Sequence, residues 1–96
     1  MKIPQKFKLF NHEIKVVLSN TLQKDTDNWG LSRFRKKEII IENGIENGFK
    51  EQTFLHELTH MIFDYMNERD IAKDERLVNT FSELLYQAFE TMEYKK

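Results

Sequence analysis

The spacing of apolar and polar positions changes period near residue 49. Upstream, short runs alternate with period two. Lys6 to Phe10 (KFKLF) and Glu13 to Leu18 (EIKVVL), separated by Asn11-His12, read as two strands of a hairpin. Ser19 to Asn28 is polar, and Asp25, Asp27 and Asn28 mark it as a loop. Trp29-Gly30 opens a third strand, Leu31 to Arg35; Lys36-Lys37 is its turn, and Glu38 to Glu42 (EIIIE) is a fourth. Asn43-Gly44 and Asn47-Gly48 then break the chain twice. From Phe49 the period becomes 3.6. Phe54, Leu55, Leu58, Met61, Ile62, Tyr65 and Met66 predict a helix from Lys50 to Met66. After a polar break, Asn67 to Asp74, the stripe Leu77, Val78, Phe81, Leu84, Leu85, Ala88, Phe89 and Met92 predicts a second helix, capped by Asp74. The expected fold is α+β: a small, mostly antiparallel sheet of three to four strands, packed on two antiparallel helices. One domain over residues 1–96 is expected, β-rich over 1–48 and helical over 49–96.

Composition narrows the chemistry. A chain of 96 residues holds one core and buries a modest share of its surface, so its stability is marginal without a cross-link. It has no cysteine, which removes disulfides and leaves a metal bridging two helices as the available staple. A net charge of −1 from 15 basic and 16 acidic side chains argues against a dedicated nucleic-acid binder. The basic group Arg33, Arg35, Lys36 and Lys37 reads as a solvated face. No apolar run reaches membrane-spanning length and no hydrophobic signal core is present, so a soluble, monomeric, cytoplasmic protein without a membrane partner is expected.

The chemistry concentrates in the first helix. Two of the three histidines lie in His56-Glu57-Leu58-Thr59-His60. Residues four apart share a helical face, so both imidazoles can reach one metal ion, with Glu57 beside the position of a bound water. A catalytic zinc commonly takes three protein ligands and a water. A third histidine six residues on is excluded, because Met66 stands there, and His12 is far upstream in a turn. Asp64 sits a turn beyond His60, while Glu68 and Asp70 fall in the break. Glu75 fits best: a helical hairpin closing between Asn67 and Glu68 returns it level with His60. Asn79, four residues on, shares that face and is placed to hydrogen-bond a ligand imidazole from outside the ligand set.

The segment His56-Glu57-Leu58-Thr59-His60 with Glu75-Arg76-Leu77-Val78-Asn79-Thr80-Phe81 resembles the gluzincin pattern, HExxH plus a glutamate on a second helix. More narrowly, it is similar to small phage- and prophage-type metallopeptidases related to the ImmA/IrrE group and to the minigluzincins. The likeness covers about two-thirds of the chain, from Trp29-Gly30 to Leu84-Leu85-Tyr86-Gln87. Thr59, Val78 and Ser82 stand where many relatives carry Gly, Ala and Ala. The resemblance implies a zincin-like fold, His56, His60 and Glu75 as zinc ligands, Glu57 as catalytic base, and a protein or peptide substrate. It also suggests Glu38 to Glu42 as a sheet edge that pairs with that substrate.

The leading expectation is a zinc metallopeptidase, an endopeptidase using metal-activated water. The alternative is a zinc-stabilised regulatory or protein-binding module without peptidase activity; a third is a metal-free interaction protein using Arg33 to Lys37. Arg33, Tyr65, Tyr86 and Tyr94 are all candidates for stabilising the transition state. His12 reads as a turn residue, Trp29 as a core or sheet-edge anchor, and Phe81, Phe89 and Tyr86 as core.

Overall fold

A computed structural model describes residues 1–95. Four strands form one mixed sheet in the order β1-β2-β4-β3: β1 (Lys6–Leu9), β2 (His12–Ser19), β3 (Gly30–Arg33) and β4 (Glu38–Glu42). β1–β2 and β3–β4 pair antiparallel, while β2 and β4 pair parallel, Val16 opposite Ile39 and Leu18 opposite Ile41. The first hairpin turns on Phe10-Asn11, both left-handed (φ 49° and 64°), one residue earlier than the sequence pattern suggests. Two left-handed residues give a two-residue turn whose twist matches the strands.

One sheet face carries the core. Ile14, Ile39 and Ile41 are fully buried against Phe54, Leu55 and Met61 of the long helix α2 (Asn47–Tyr65), and Phe7 meets Phe54 edge-on at 5.9 Å. Burial of each such aliphatic side chain contributes about 1.5–3 kcal/mol. The period-two pattern of EIIIE thus reads correctly: Ile39 and Ile41 point in, and Ile40 points out half-covered.

Two breaks in the pattern hold short helices. The expected loop Ser19 to Asn28 contains α1 (Leu22–Thr26), and the expected break Asn67 to Asp74 contains α3 (Arg69–Ala72). Each is fixed by a distant contact. Leu22 is buried, and the Glu42 carboxylate at the end of β4 accepts the Gln23 N–H at 2.9 Å and the Gly44 N–H at 3.0 Å. Those amides hold the carboxyl below the usual carboxylate range, the Gln23 bond counting most. In α3 the buried residue is Ala72.

α2 ends where Asn67 turns left-handed (φ 61°), a common stop for a helix. α4 (Glu75–Thr91) begins at Asp74, whose side chain accepts the Leu77 N–H at 3.1 Å, as the sequence predicts. α2 and α4 run antiparallel: Glu75 lies beside His60, and Tyr86 reaches back to bond Glu51 at 3.2 Å. The apolar stripe of α4 is only partly covered. Val78 and Ser82 are buried and Leu85 and Tyr86 half-buried, whereas Phe81 and Phe89, expected in the core, are 46% and 42% exposed. Of the two long helices, α2 is the one that covers the sheet, so α4 packs on α2 with one narrow face and leaves the rest open. Among the described residues no helix is long and apolar enough to cross a membrane.

Candidate metal centre

α2 aims two imidazoles at one point because its opposite face is clamped. Phe54 and Met61 are buried in the cluster with Ile14, Ile39 and Ile41 of the sheet and Leu58 packs against it, which turns His56 and His60 towards α4, half-buried, with ring centroids 4.8 Å apart. α4 supplies the third group in its first turn. The Glu75 carboxylate straddles the pair, Oε2 lying 3.3 Å from His56 Nε2 and Oε1 3.1 Å from His60 Nε2. One donor atom from each residue falls within 4.8 Å of the others, so His56, His60 and Glu75 form a group able to hold a metal ion.

The arrangement fits a small tetrahedral cation. Two donors each about 2.05 Å from a tetrahedral zinc stand about 3.3 Å apart. The two Nε2 atoms are 3.2 Å apart. Nδ1 of His60 is bonded to the Ala72 carbonyl at 2.5 Å, which commits its proton to that side and leaves Nε2 as a lone pair aimed into the group. Burial, and then the neighbouring His60, depress the pKa of His56, opposed by Glu75 and Asn79. Two imidazole nitrogens facing across 3.2 Å beside a carboxylate make a donor set able to hold a cation.

Glu57 lies beside this group but outside it. It is only 8% exposed and makes no hydrogen bond or ion pair among the described residues. Burial first, and then the negative charge of Glu75, push its pKa up to about 7. The close approach of β3 buries it: a Cβ on Gly30 would lie 3.0 Å from Glu57 Oε2 and 2.5 Å from Thr53 Cγ2. Gly30 serves here as the residue that lets a strand press against a helix.

Two cavities flank the group. One of about 360 Å³ is walled by Trp29, Phe49, His56, Glu57, Asn79 and Glu83. The other, about 550 Å³, is walled by Leu31, Ser32, His56, His60, Asp64 and Glu75. Asn28, Gly30, His56 and Glu57 border both, so they form one cleft along β3. Trp29 is 43% exposed and rests on Phe49 at 5.6 Å, an anchor at the sheet edge rather than in the core. The sheet edge on the cleft is β3. Glu38 to Glu42, expected there, is an interior strand between β2 and β3. The Glu42 N–H bonds the Trp29 carbonyl at 2.8 Å, which sets the parity: Trp29, Leu31 and Arg33 turn their backbone groups to β4, and Gly30 and Ser32 turn theirs to the cleft.

Asn79 stands one turn after Glu75 and biases His56 towards its charged form, although no hydrogen bond of normal geometry joins the two. The His60 ring is oriented by the Ala72 carbonyl, a partner that residue type could not reveal because any residue carries one. Ser32 was also invisible to the pattern; its buried hydroxyl lacks a hydrogen-bond partner at the cleft wall. None of the four candidate transition-state groups lines the cleft. Tyr86 is tied to Glu51 and Glu90, its pKa pushed up to about 12 chiefly by burial. Tyr65 packs among Phe10, His12 and Phe34. Tyr94 is 81% exposed, and Arg33 pairs with Glu38 at 3.2 Å. His12, stacked on Tyr65 at 5.6 Å, is not part of the metal group. No model of a protein family, no curated protein and no solved structure matches this chain.

Proposed function

We propose that this chain is a zinc-dependent peptidase of the gluzincin type, with His56, His60 and Glu75 as ligands and Glu57 as the proton-transfer group. The observation that carries the reading is the juxtaposition of a three-donor group with a buried, unpaired carboxyl, both beside a free strand edge. A zinc ion bound there would supply Lewis acidity, lowering the pKa of a water and polarising a carbonyl. The remaining work falls to the chain itself. Gly30 and Ser32 offer backbone donors and acceptors to an extended peptide, fixing its carbonyl carbon over the cleft. Glu57, with a pKa pushed up to about 7, can accept a proton from an attacking water and return it to the departing amine at neutral pH.

The test is elemental analysis of the purified chain together with digestion of a peptide mixture. The wild type should carry one zinc per chain and cleave. Glu57→Gln should keep the metal and lose cleavage at least a hundredfold. Glu75→Ala should lose both. Undiminished cleavage by Glu57→Gln overturns the mechanism.

A second reading has its own support. Leu77, Phe81, Leu84, Phe89 and Met92 leave α4 with an exposed apolar face, which suits a zinc-stabilised module that binds another protein. In that case Glu57→Gln would leave function intact, whereas Glu75→Ala would abolish it by destabilising the fold.

A further inference from the structure

A third cavity, basic in character, adjoins the cleft at Asp64. Its volume is about 450 Å³, and it is lined by Arg33, Phe34, Arg35, Lys36, Asp64 and Arg69. Asp64 borders this cavity and the metal-side cavity alike, so the two are neighbours. The end of β3 brings Arg33, the turn after it Arg35 and Lys36, and α3 brings Arg69, far apart in sequence but converging in space. Only Arg33 has a partner, Glu38; Arg35, Lys36 and Arg69 make no ion pair among the described residues. With Asp64 counted, the lining carries an excess of positive charge in a chain whose net charge is −1. Unpaired cations gathered at one cavity of a slightly acidic protein suit an anion.

Position says which anion. β3 runs from Gly30, beside Glu57, to Arg33 at the basic cavity. A peptide pairing antiparallel with β3 would run the opposite way, its N-terminal residues towards Arg33. Antiparallel pairing is the stronger geometry per residue. From Gly30 to the turn is three to four residues, about 10–13 Å of strand. An extended peptide covers that span with about three residues. Phe34, held edge-on against Tyr65 at 4.7 Å, fixes the turn that carries Arg35 and Lys36.

Resting on the peptidase reading for its register, we propose that the substrate carries an Asp or Glu about three residues before the scissile bond, received by Arg35, Lys36 and Arg69. A phosphate backbone is the rival anion. The Asp64 carboxylate and the Glu38 partner of Arg33 weigh against it, because a polyphosphate needs a longer uninterrupted basic stripe.

Two measurements on the full chain test this. In the first, the zinc-loaded protein digests a proteome-derived peptide mixture and cleavage sites are read by mass spectrometry. Acidic residues should be enriched about fivefold to tenfold at the third or fourth position before the cut. Arg35→Glu/Arg69→Glu should erase or reverse that bias, and the milder Arg35→Gln/Arg69→Gln should reduce it. Cleavage without acidic enrichment overturns this proposal and leaves the peptidase reading standing. In the second, Glu57→Gln binds fluorescein-labelled peptides of alternating Ala-Glu or Ala-Lys at low salt, followed by anisotropy. The acidic peptide should bind about fivefold more tightly, and the ratio should vanish in the double charge reversal. If nothing is cleaved, the peptidase reading fails and the cavity stands or falls on this ratio alone. Equal affinities overturn it, as does a single-stranded DNA decamer that displaces the acidic peptide at a lower concentration than the peptide itself requires.

Discussion

Replacing Glu57 by Gln in the metal-free protein should make the fold more stable at pH 8. Glu57 is 8% exposed as a residue, its carboxyl forms no hydrogen bond among the described residues, and its pKa is pushed up to about 7, first by burial and then by Glu75. In the unfolded chain it titrates near 4.5. A carboxyl with a raised folded pKa binds its proton more tightly in the native state. Its penalty is therefore absent below pH 4.5, grows between pH 4.5 and 7, and is constant above. The gap of about 2.5 pH units at about 1.4 kcal/mol each gives a cost of about 3.5 kcal/mol at pH 8. Gln matches the shape and never ionises, so it escapes that cost. In a domain of this size the gain is on the order of 15 °C in Tm. The assay is urea unfolding of both proteins in chelator at several pH values from 4.5 to 8. Groups away from Glu57 act alike in both chains, so the difference between the curves reports Glu57 together with its repulsion by Glu75. Curves that stay parallel across that range would show a solvated carboxyl and defeat the argument for a buried base. With zinc present the advantage of Gln should shrink, because a nearby cation favours the ionised form.

Three further outcomes follow from the same geometry. Gly30→Ala places a methyl 2.5 Å from Thr53 Cγ2 and should destabilise by about 1–3 kcal/mol in urea unfolding while lowering peptide cleavage, because β3 must lift off Glu57. Saturating zinc, at about a thousand times its Kd, should stabilise the wild type by about 4 kcal/mol, and calorimetry should find most of that increment gone in Glu75→Ala. Glu42→Gln should lower stability at pH 7 by weakening the bonds to Gln23 and Gly44. Because the folded Glu42 pKa is depressed, that difference should be full above pH 4.5 and fade as pH falls through the folded pKa; an unchanged gap at pH 2 would refute the assignment.

The elements with a long, regular period were legible. α2 and α4 lie where the 3.6 pattern puts them, and β4 matches EIIIE to the residue. The approach of His56, His60 and Glu75 also followed from spacing, since i and i+4 share a helical face and an antiparallel hairpin returns Glu75 to it. What escaped depended on contacts between distant segments. α1 exists because Leu22 finds a buried site and Glu42 caps its first turn, neither of which local propensity contains. Strand order escaped as well. EIIIE is apolar enough for an interior strand, but only the parallel pairing of β2 with β4 shows that β3 is the one left at the edge. Phe81 and Phe89 misled because an apolar stripe reports a face that avoids water, not one that has found cover.

Gly30 joins these observations. It begins the edge strand, its missing side chain admits that strand onto Thr53 and Glu57, and it borders both halves of the cleft. Any larger residue would hold β3 away from α2. Water would then reach Glu57, its pKa would fall back towards that of an ordinary carboxyl, and the backbone of Gly30 and Ser32 would drift from the metal group. One atom of clearance therefore sets the burial of Glu57 and the placement of the strand edge together. In the Gly30→Ala protein, loss of stability, a lower Glu57 pKa and loss of cleavage should appear as one coupled change. If cleavage fell while the Glu57 titration stayed near 7, the strand edge alone would be at fault, and the coupling argued here would be wrong.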